Sequence, residues 1–243
     1  MDQRVSAIVG AGDGLGQALA GAFANAGYGV ALLSRTEEGS RAALDAAQRA
    51  NSARQARFFA ADATRPEELE SALRRVAHEM GRVDVLVYNP RGGLAHKPPL
   101  AIEYAELREI FDLEVVGALA AAKAVVPGMI EAGRGTVLFS SATAAFRGSA
   151  TNPLYSVGKF GLRSLAQSLA KAYGKAGVHI AHVRLDCTLD VPIVRKMIGA
   201  RLDPKKLAST EDVARTYVWL TEQPRSAWTN EIELRPFTEE WTC

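Results

Sequence analysis

A phenol and an ammonium stand four residues apart in Tyr155-Ser156-Val157-Gly158-Lys159. On a helix such residues project from one face. Pro153 suits the first helical position, with Asn152 before it as the cap. Tyr155 then falls in the first turn, where the helix dipole favours negative charge. A neighbouring ammonium also favours the phenolate. The pair is therefore equipped to move a proton on or off a carbonyl or alcohol oxygen. Upstream, Phe139-Ser140-Ser141-Ala142-Thr143 offers hydroxyls that could polarise such an oxygen. The competing account is a half-buried Tyr and a solvated Lys on an amphipathic helix, with the hydroxyls serving turn chemistry.

Near the start of the chain lies Gly10-Ala11-Gly12-Asp13-Gly14-Leu15-Gly16, directly after the apolar run Val5-Ser6-Ala7-Ile8-Val9. Glycines permit a tight turn and close backbone approach to a pyrophosphate, and a following helix offers unpaired N–H groups. A tight turn without a ligand is the alternative. A glycine turn behind the first buried strand of an α/β chain implies a dinucleotide. At the end of the second strand, Ser34-Arg35-Thr36 contains no carboxylate to hold an adenosine ribose hydroxyl. Arg35 can instead take a phosphate bidentately, which favours NADP(H) and leaves NAD(H) possible. An ordinary surface arginine is the competing reading. Asp62 follows the third strand and could bond the adenine amino group. Asn89 follows the fourth and could line the floor of the cofactor site.

These residues need strands and helices to carry them, and the two kinds of segment alternate along the whole chain. Val5–Val9, Gly29–Leu33, Arg57–Ala60, Val83–Val87, Thr136–Phe139, Val178–Arg184 and Asn230–Leu234 read as strands, the first apolar enough to be covered on both faces. Between them, Gly14–Ala26 has helical spacing with Gly27 as a C-cap candidate, and Glu37–Ala53 is an Ala-rich helix. A helix begins at Pro66, one long helix spans Glu103 to Ile130 with a bend near Pro127, and others run from Pro153 to Lys175 and from Thr210 to Glu222. The βαβα order implies an α/β, doubly wound parallel sheet with helices on both faces, as one domain over 1–243. Ligands in such sheets bind at the carboxyl ends of the strands. All the residues above lie in loops there or on the helices that follow.

The chain has 243 residues, 48% of them hydrophobic, which is enough for one large core. A net charge of +2 without long basic blocks gives nucleic-acid binding no electrostatic support. No apolar stretch reaches the roughly 20 residues of a membrane span. Met1-Asp2-Gln3-Arg4 lacks the apolar region of a secretory signal. Two cysteines, Cys187 and Cys243, make neither a disulfide framework nor a metal site. A cytoplasmic protein with no membrane, nucleic-acid or metal partner is expected.

In this combination the motifs resemble the short-chain dehydrogenase/reductase family over nearly the whole chain: Gly10-x-x-x-Gly14-x-Gly16, Asp62, Asn89 within Val87-Tyr88-Asn89-Pro90, Ser140-Ser141, and Tyr155-x-x-x-Lys159. The resemblance implies a single-domain Rossmann-type fold with a seven-stranded, mostly parallel sheet. It implies NAD(P)(H)-dependent interconversion of a carbonyl and a secondary alcohol, and a homodimer or homotetramer. The small residues of Gly117–Ala124 and Ser164–Ala172 would allow helices of two copies to approach. The catalytic set it implies is Tyr155 as acid/base, Lys159 as its partner and ribose ligand, Ser141 to orient substrate, and Glu114. The cofactor set is Gly10, Gly12, Asp13, Gly14, Leu15, Gly16, Ser34, Arg35, Asp62, Ala63, Asn89, Tyr155, Lys159 and Leu189. Residues 188–208, with Leu189, Val191, Pro192, Ile193, Val194, Met197 and Ile198, would form an apolar substrate lid. The segments around Gln223–Thr229 and Glu233–Pro236 look like a bacterial branch.

Several positions depart from the family pattern. Glu114-Val115-Val116-Gly117 stands where the family has Asn-x-x-Gly. Asn89-Pro90-Arg91 stands for Asn-Ala-Gly, and Asp186-Cys187 for Pro-Gly. The family's serine register falls on Ala142, between Ser141, the candidate, and Thr143, the alternative. Glu114 and Asp186-Cys187 motivate a competing function, a catalytically weak NADP(H)-binding sensor or scaffold. Arg91, His96 and Lys97 either touch substrate or face water.

Overall fold

The computed structural model describes residues 4–92, 96–198 and 203–239. Strands β1 (Val5–Val9), β2 (Gly29–Ser34), β3 (Ala56–Ala60), β4 (Val83–Tyr88), β5 (Gly135–Ala142) and β6 (Val178–Leu185) alternate with helices α1 (Leu15–Asn25), α2 (Arg41–Ala50), α3 (Pro66–Met80), α4 (Tyr104–Phe111), α5 (Gly117–Glu131) and α6 (Pro153–Tyr173). Then follow β7 (Thr188–Leu189), α7 (Pro192–Ile198), β8 (Leu207–Ala208), α8 (Thr210–Thr221) and β9 (Glu231–Leu234). Seven strands form one sheet in the order β3-β2-β1-β4-β5-β6-β9, and every pairing in it is parallel. The fold is therefore the Rossmann-type α/β class expected. β7 and β8 pair separately.

The period of two in the strands divides the core between the two faces. Val5, Ala7 and Val9 of β1 and Ala31 and Leu33 of β2 pack with Leu69 and Leu73 of α3, Val125 and Met129 of α5 and Leu162 of α6. Ile8, Val30 and Leu32 point the other way, onto Leu19 and Phe23 of α1, Leu44 of α2 and Tyr217 and Leu220 of α8. Burying each such large side chain contributes roughly 1.5–3 kcal/mol. The strand order reverses between β1 and β4, and a crevice opens outside their carboxyl ends.

Three local expectations are corrected. The long helix over 103–130 is interrupted by a π-helical turn, Asp112–Val116, between α4 and α5; Pro127 lies inside α5. The helical run Tyr104–Glu131 has 28 residues, and an 18-residue window within it has a mean hydropathy of 1.7, long and apolar enough by composition to cross a membrane. Its hydropathy has a local cause, since half of that apolar window is buried inside the protein. The helix read over 37–53 is shorter, because Glu38–Ser40 forms a 3-10 turn ahead of α2 and Asn51 is extended. Asn152 precedes α6 without a side-chain cap; its carbonyl accepts from the Ser156 hydroxyl instead (3.4 Å).

Candidate active site

The glycine turn is built by β1 and its neighbours. Gly10 N–H donates to the Leu33 carbonyl of β2 (2.9 Å), and the Asn89 side-chain amide donates to the Gly10 carbonyl (3.0 Å). Gly10 has φ +82°, and a Cβ there would lie 2.7 Å from the Pro90 nitrogen. Only glycine satisfies both conditions. A Cβ on Gly12 would meet nothing within 4 Å, so this part of the backbone faces open space. Gly14 is the N-cap of α1 and no side chain bonds the first helical N–H groups. Gln17 N–H donates to the Gly14 carbonyl (3.1 Å), and the N–H groups ahead of it are orphan donors at the positive end of a helix dipole.

That open space belongs to a cavity of about 1250 Å³. Along one wall run Gly10, Gly12, Asp13, Gly14, Leu15, Gly16, Ser34, Arg35, Asp62, Ala63 and Asn89; along the other stand Ser141, Tyr155, Lys159 and Leu189. The fold thus brings every one of these sequence candidates to one cleft. Glu114 is the exception: it is fully buried beneath the wall and touches the lining residues Lys159 and Gly92 from behind.

Lys159 is 2% exposed. Its Nζ donates to the Ser140 carbonyl (3.1 Å) and lies 2.8 Å from Glu114 Oε2. The Glu114 contact is an ion pair rather than a directed hydrogen bond, since Oε2 lacks a donor in bonding geometry. The ammonium is 5.7 Å from the Tyr155 ring centroid, so the two groups share the helix face expected of their spacing. Glu114 Oε1 accepts from Gly92 N–H at 3.5 Å. The π-helical turn, frequent at functional sites, carries Glu114 into this position. Gly158 of α6 lets it approach: a Cβ there would sit 2.9 Å from Glu114 Cγ. Tyr88, whose hydroxyl donates to the Leu113 carbonyl, has its titration pushed well above the usual phenol range, first by burial and then by the Glu114 charge.

The two candidate hydroxyls differ. Thr143 Oγ1 donates to Asp186 Oδ1, and Asp186 is in turn ion-paired with Arg235. Arg235 pairs with Glu233, and Glu233 with Arg184. Ser141 Oγ is buried and has no hydrogen-bond partner among the described residues. Ser140 is engaged with the Tyr217 hydroxyl (2.8 Å). On the cofactor side, Asp62 Oδ1 accepts from Thr64 N–H (2.9 Å) and its hydroxyl (2.8 Å). The Thr64 N–H bond is the chief cause that holds the Asp62 carboxyl below its ordinary range, with Arg35 adding to it. Arg35 itself is exposed at the cleft and forms no ion pair with a carboxylate of the described residues. Glu37 does not line the cavity and pairs with Arg41 (3.2 Å).

Of the segment expected to form a lid, Leu189, Val191, Ile193 and Val194 line the cavity, whereas Met197 is 79% exposed and does not. The Ile198 side chain and residues 199–202 lie outside the described residues. Val191 Cγ1 would be 3.3 Å from a Cβ on Gly14, so the lid approaches the glycine turn closely. Arg91 lines the cavity, His96 is exposed, and Lys97 pairs with Glu106. Burial pushes the Cys187 thiol, which lines the cavity, up to about 12. Sequence reading missed the Glu114–Lys159 pairing and the ionic chain from Asp186 to Arg184, which join residues distant in sequence. No signal of spacing marks them. Among the described residues no three His, Cys, Asp or Glu side chains are grouped to hold a metal ion.

Residues 4–197 match the family model described as short chain dehydrogenase. An uncharacterized oxidoreductase of Staphylococcus saprophyticus is 28% identical over 241 residues, spanning 97% of this chain and 98% of the relative. Among solved structures, an alcohol dehydrogenase from the archaeon Thermococcus sibiricus, complexed with 5-hydroxy-NADP, superposes with a TM-score of 0.85 at 20% identity, covering 99% of this chain and 100% of the other. A metagenomic short-chain oxidoreductase in complex with NADP superposes with a TM-score of 0.82 at 24% identity, covering 96% and 97%. With its parallel seven-stranded sheet, its glycine turn and the cleft that joins that turn to Tyr155 and Lys159, the chain belongs to the short-chain dehydrogenase/reductase family of oxidoreductases.

Proposed function

We propose that the protein interconverts a carbonyl and a secondary alcohol with NADP(H), using Tyr155 as the acid/base. The observation that carries this reading is one cleft lined at once by the glycine turn, Arg35, Ser141, Tyr155 and Lys159. The residues fit a dinucleotide. Gly12 leaves room for a phosphate, the uncapped start of α1 presents N–H donors, and Gly14 and Gly16 keep side chains out of the way. Gly10, Asp13 and Leu15 complete that turn. Asp62 and Ala63 suit the adenine end, Asn89 the floor, and Leu189 the lid side. NADP(H) when bound supplies or accepts the hydride.

Arg35 and the neighbouring Ser34 favour a 2′-phosphate, because no carboxylate of the cavity wall at the end of β2 opposes one. The solved relatives bound to 5-hydroxy-NADP and NADP support the same choice. In reduction, Tyr155 gives its phenolic proton to the oxygen of the carbonyl as that oxygen becomes a hydroxyl; in oxidation it takes the proton back. Ser141, buried and unpartnered, is the donor for the substrate oxygen, whereas Thr143 is committed to Asp186. Lys159 holds its ammonium beside the phenol and offers a donor not used by the Ser140 carbonyl to a ribose hydroxyl. Ile110, Leu113, Leu154, Ile193 and Val194 give the substrate end an apolar lining, suited to a small or medium apolar carbonyl compound.

The test is a screen of carbonyl compounds with NADPH and with NADH, reading loss of the reduced-nicotinamide absorbance. Turnover abolished by Tyr155→Phe supports the reading; binding without turnover, unaffected by Tyr155→Phe, favours the sensor, which the engagement of Lys159 by Glu114 would suit. A homo-oligomer belongs to the same proposal. Phe111, Leu119, Val157 and Phe160 leave apolar surface exposed on α4, α5 and α6. Of the small residues expected to permit that association, Gly117 has a role inside the chain. A Cβ on Gly117 would lie 2.1 Å from the Ala63 carbonyl, so this glycine serves packing within one chain. Light scattering decides the oligomeric state.

A further inference from the structure

Glu114 is fully buried and Lys159 nearly so, and their charged atoms are 2.8 Å apart. Water does not screen such a pair as it screens surface charges. The carboxylate is fixed from three sides: by its place in the π-helical turn, by Gly92 N–H on Oε1, and by Lys159 on Oε2. Gly158 leaves space for its methylenes, so the enclosure is built around this side chain. Its field reaches beyond Lys159, since it is one cause of the raised titration of Tyr88. The wall of the cleft at Lys159 therefore carries a cation and an anion together, with no net charge.

That neutrality bears on the two redox forms of a nicotinamide, which differ by one charge: the oxidised ring is a cation and the reduced ring is neutral. A lone ammonium in the wall would repel the oxidised ring and leave the reduced ring indifferent. We infer that Glu114, acting through Lys159 as a positioning residue, cancels this repulsion and so sets the relative affinity of the site for the oxidised and reduced cofactor. The inference rests on the proposal that NADP(H) binds in this cleft. Uniform loosening of the site would weaken both forms alike, whereas charge compensation alters their ratio.

The experiment measures the dissociation constants of NADP⁺, by calorimetry, and NADPH, by its own fluorescence, for four proteins: the natural chain, Glu114→Gln, Lys159→Met and the double variant. The ratio of the NADP⁺ constant to the NADPH constant reports the charge of the wall. Glu114→Gln leaves a net positive wall and raises the ratio by about fivefold or more, the order expected when one charge of the wall is left uncompensated at an effective dielectric of about 20. Lys159→Met leaves a net negative wall and lowers it. The double variant is again neutral and keeps the natural ratio. If Glu114→Gln does not fold, Lys159→Met and the double variant still bracket the effect. A ratio unchanged across variants that bind both nucleotides, or an order other than this one, overturns the inference and leaves the cofactor assignment standing. Failure of the natural chain to bind either nucleotide overturns both.

Discussion

The Glu114–Lys159 pair makes a strong demand on stability as well. Two charges with side-chain exposures of 0% and 3% cannot be separated from each other without leaving one unpaired in a low-dielectric interior. Removing one partner of a buried pair costs about 3–5 kcal/mol, whereas removing both together is often close to neutral. In a chain of this size, 1 kcal/mol moves the melting temperature by roughly 2–4 °C. Glu114→Gln and Lys159→Met therefore each melt roughly 6–20 °C lower than the natural chain. The double variant loses much less than the sum, with a coupling of at least about 2 kcal/mol, within the range measured for contacting groups. Chemical denaturation of the four proteins at one pH and salt concentration supplies the cycle, provided that m-values agree. Additive losses, within about 0.5 kcal/mol, would refute the claim that the two charges depend on each other.

Other expectations follow from single contacts. Arg35→Ala weakens NADPH about ten- to a hundredfold relative to NADH, the loss of a charge-assisted phosphate contact; equal weakening of both by titration removes Arg35 from cofactor discrimination. The Glu231 carboxyl is held down to about 2, chiefly by its hydrogen bond from Arg163. Because its folded value lies below its unfolded one, the pair stabilises above the ordinary Glu range and that contribution fades as pH falls from about 4.5 towards about 2. The stability gap between the natural chain and Arg163→Ala should narrow over that acid window in denaturation curves, and a constant gap would contradict the pairing. Burial that raises the Cys187 thiol to about 12 predicts slow alkylation in the folded chain at neutral pH, and rapid labelling once unfolded, read on the Cys187 peptide by mass spectrometry. Rapid labelling of the folded chain would show an accessible thiolate instead.

Much of the fold was legible because it depends on local periodicity. β1 is apolar but for Ser6 and buried along its whole length since a central parallel strand is covered on both faces, and α1 declares itself by its helical stripe. The glycine turn and the Tyr155–Lys159 spacing were legible for the same reason: their geometry is set within a few residues. The long helix was misread at Asp112–Val116, since a π-helical turn has no strong local signature and depends on what packs against it. Asn152 does stand at the N-cap ahead of Pro153, but its side chain bonds no helical N–H.

By itself the sequence determined which chemistry was available: a glycine-rich turn behind the first strand, a phenol and an ammonium at helical spacing, and an arginine where a carboxylate would select the other cofactor. Tertiary structure decided which of these groups are free to act. It tied Thr143 to Asp186 and left Ser141 without a partner, and it set Glu114 against Lys159 across two helical segments. The physical reason is that propensity and spacing act over a few residues. The partner of a buried polar group is chosen by burial, which brings together distant parts of the chain and leaves each charge or hydroxyl to be satisfied by whatever lies beside it.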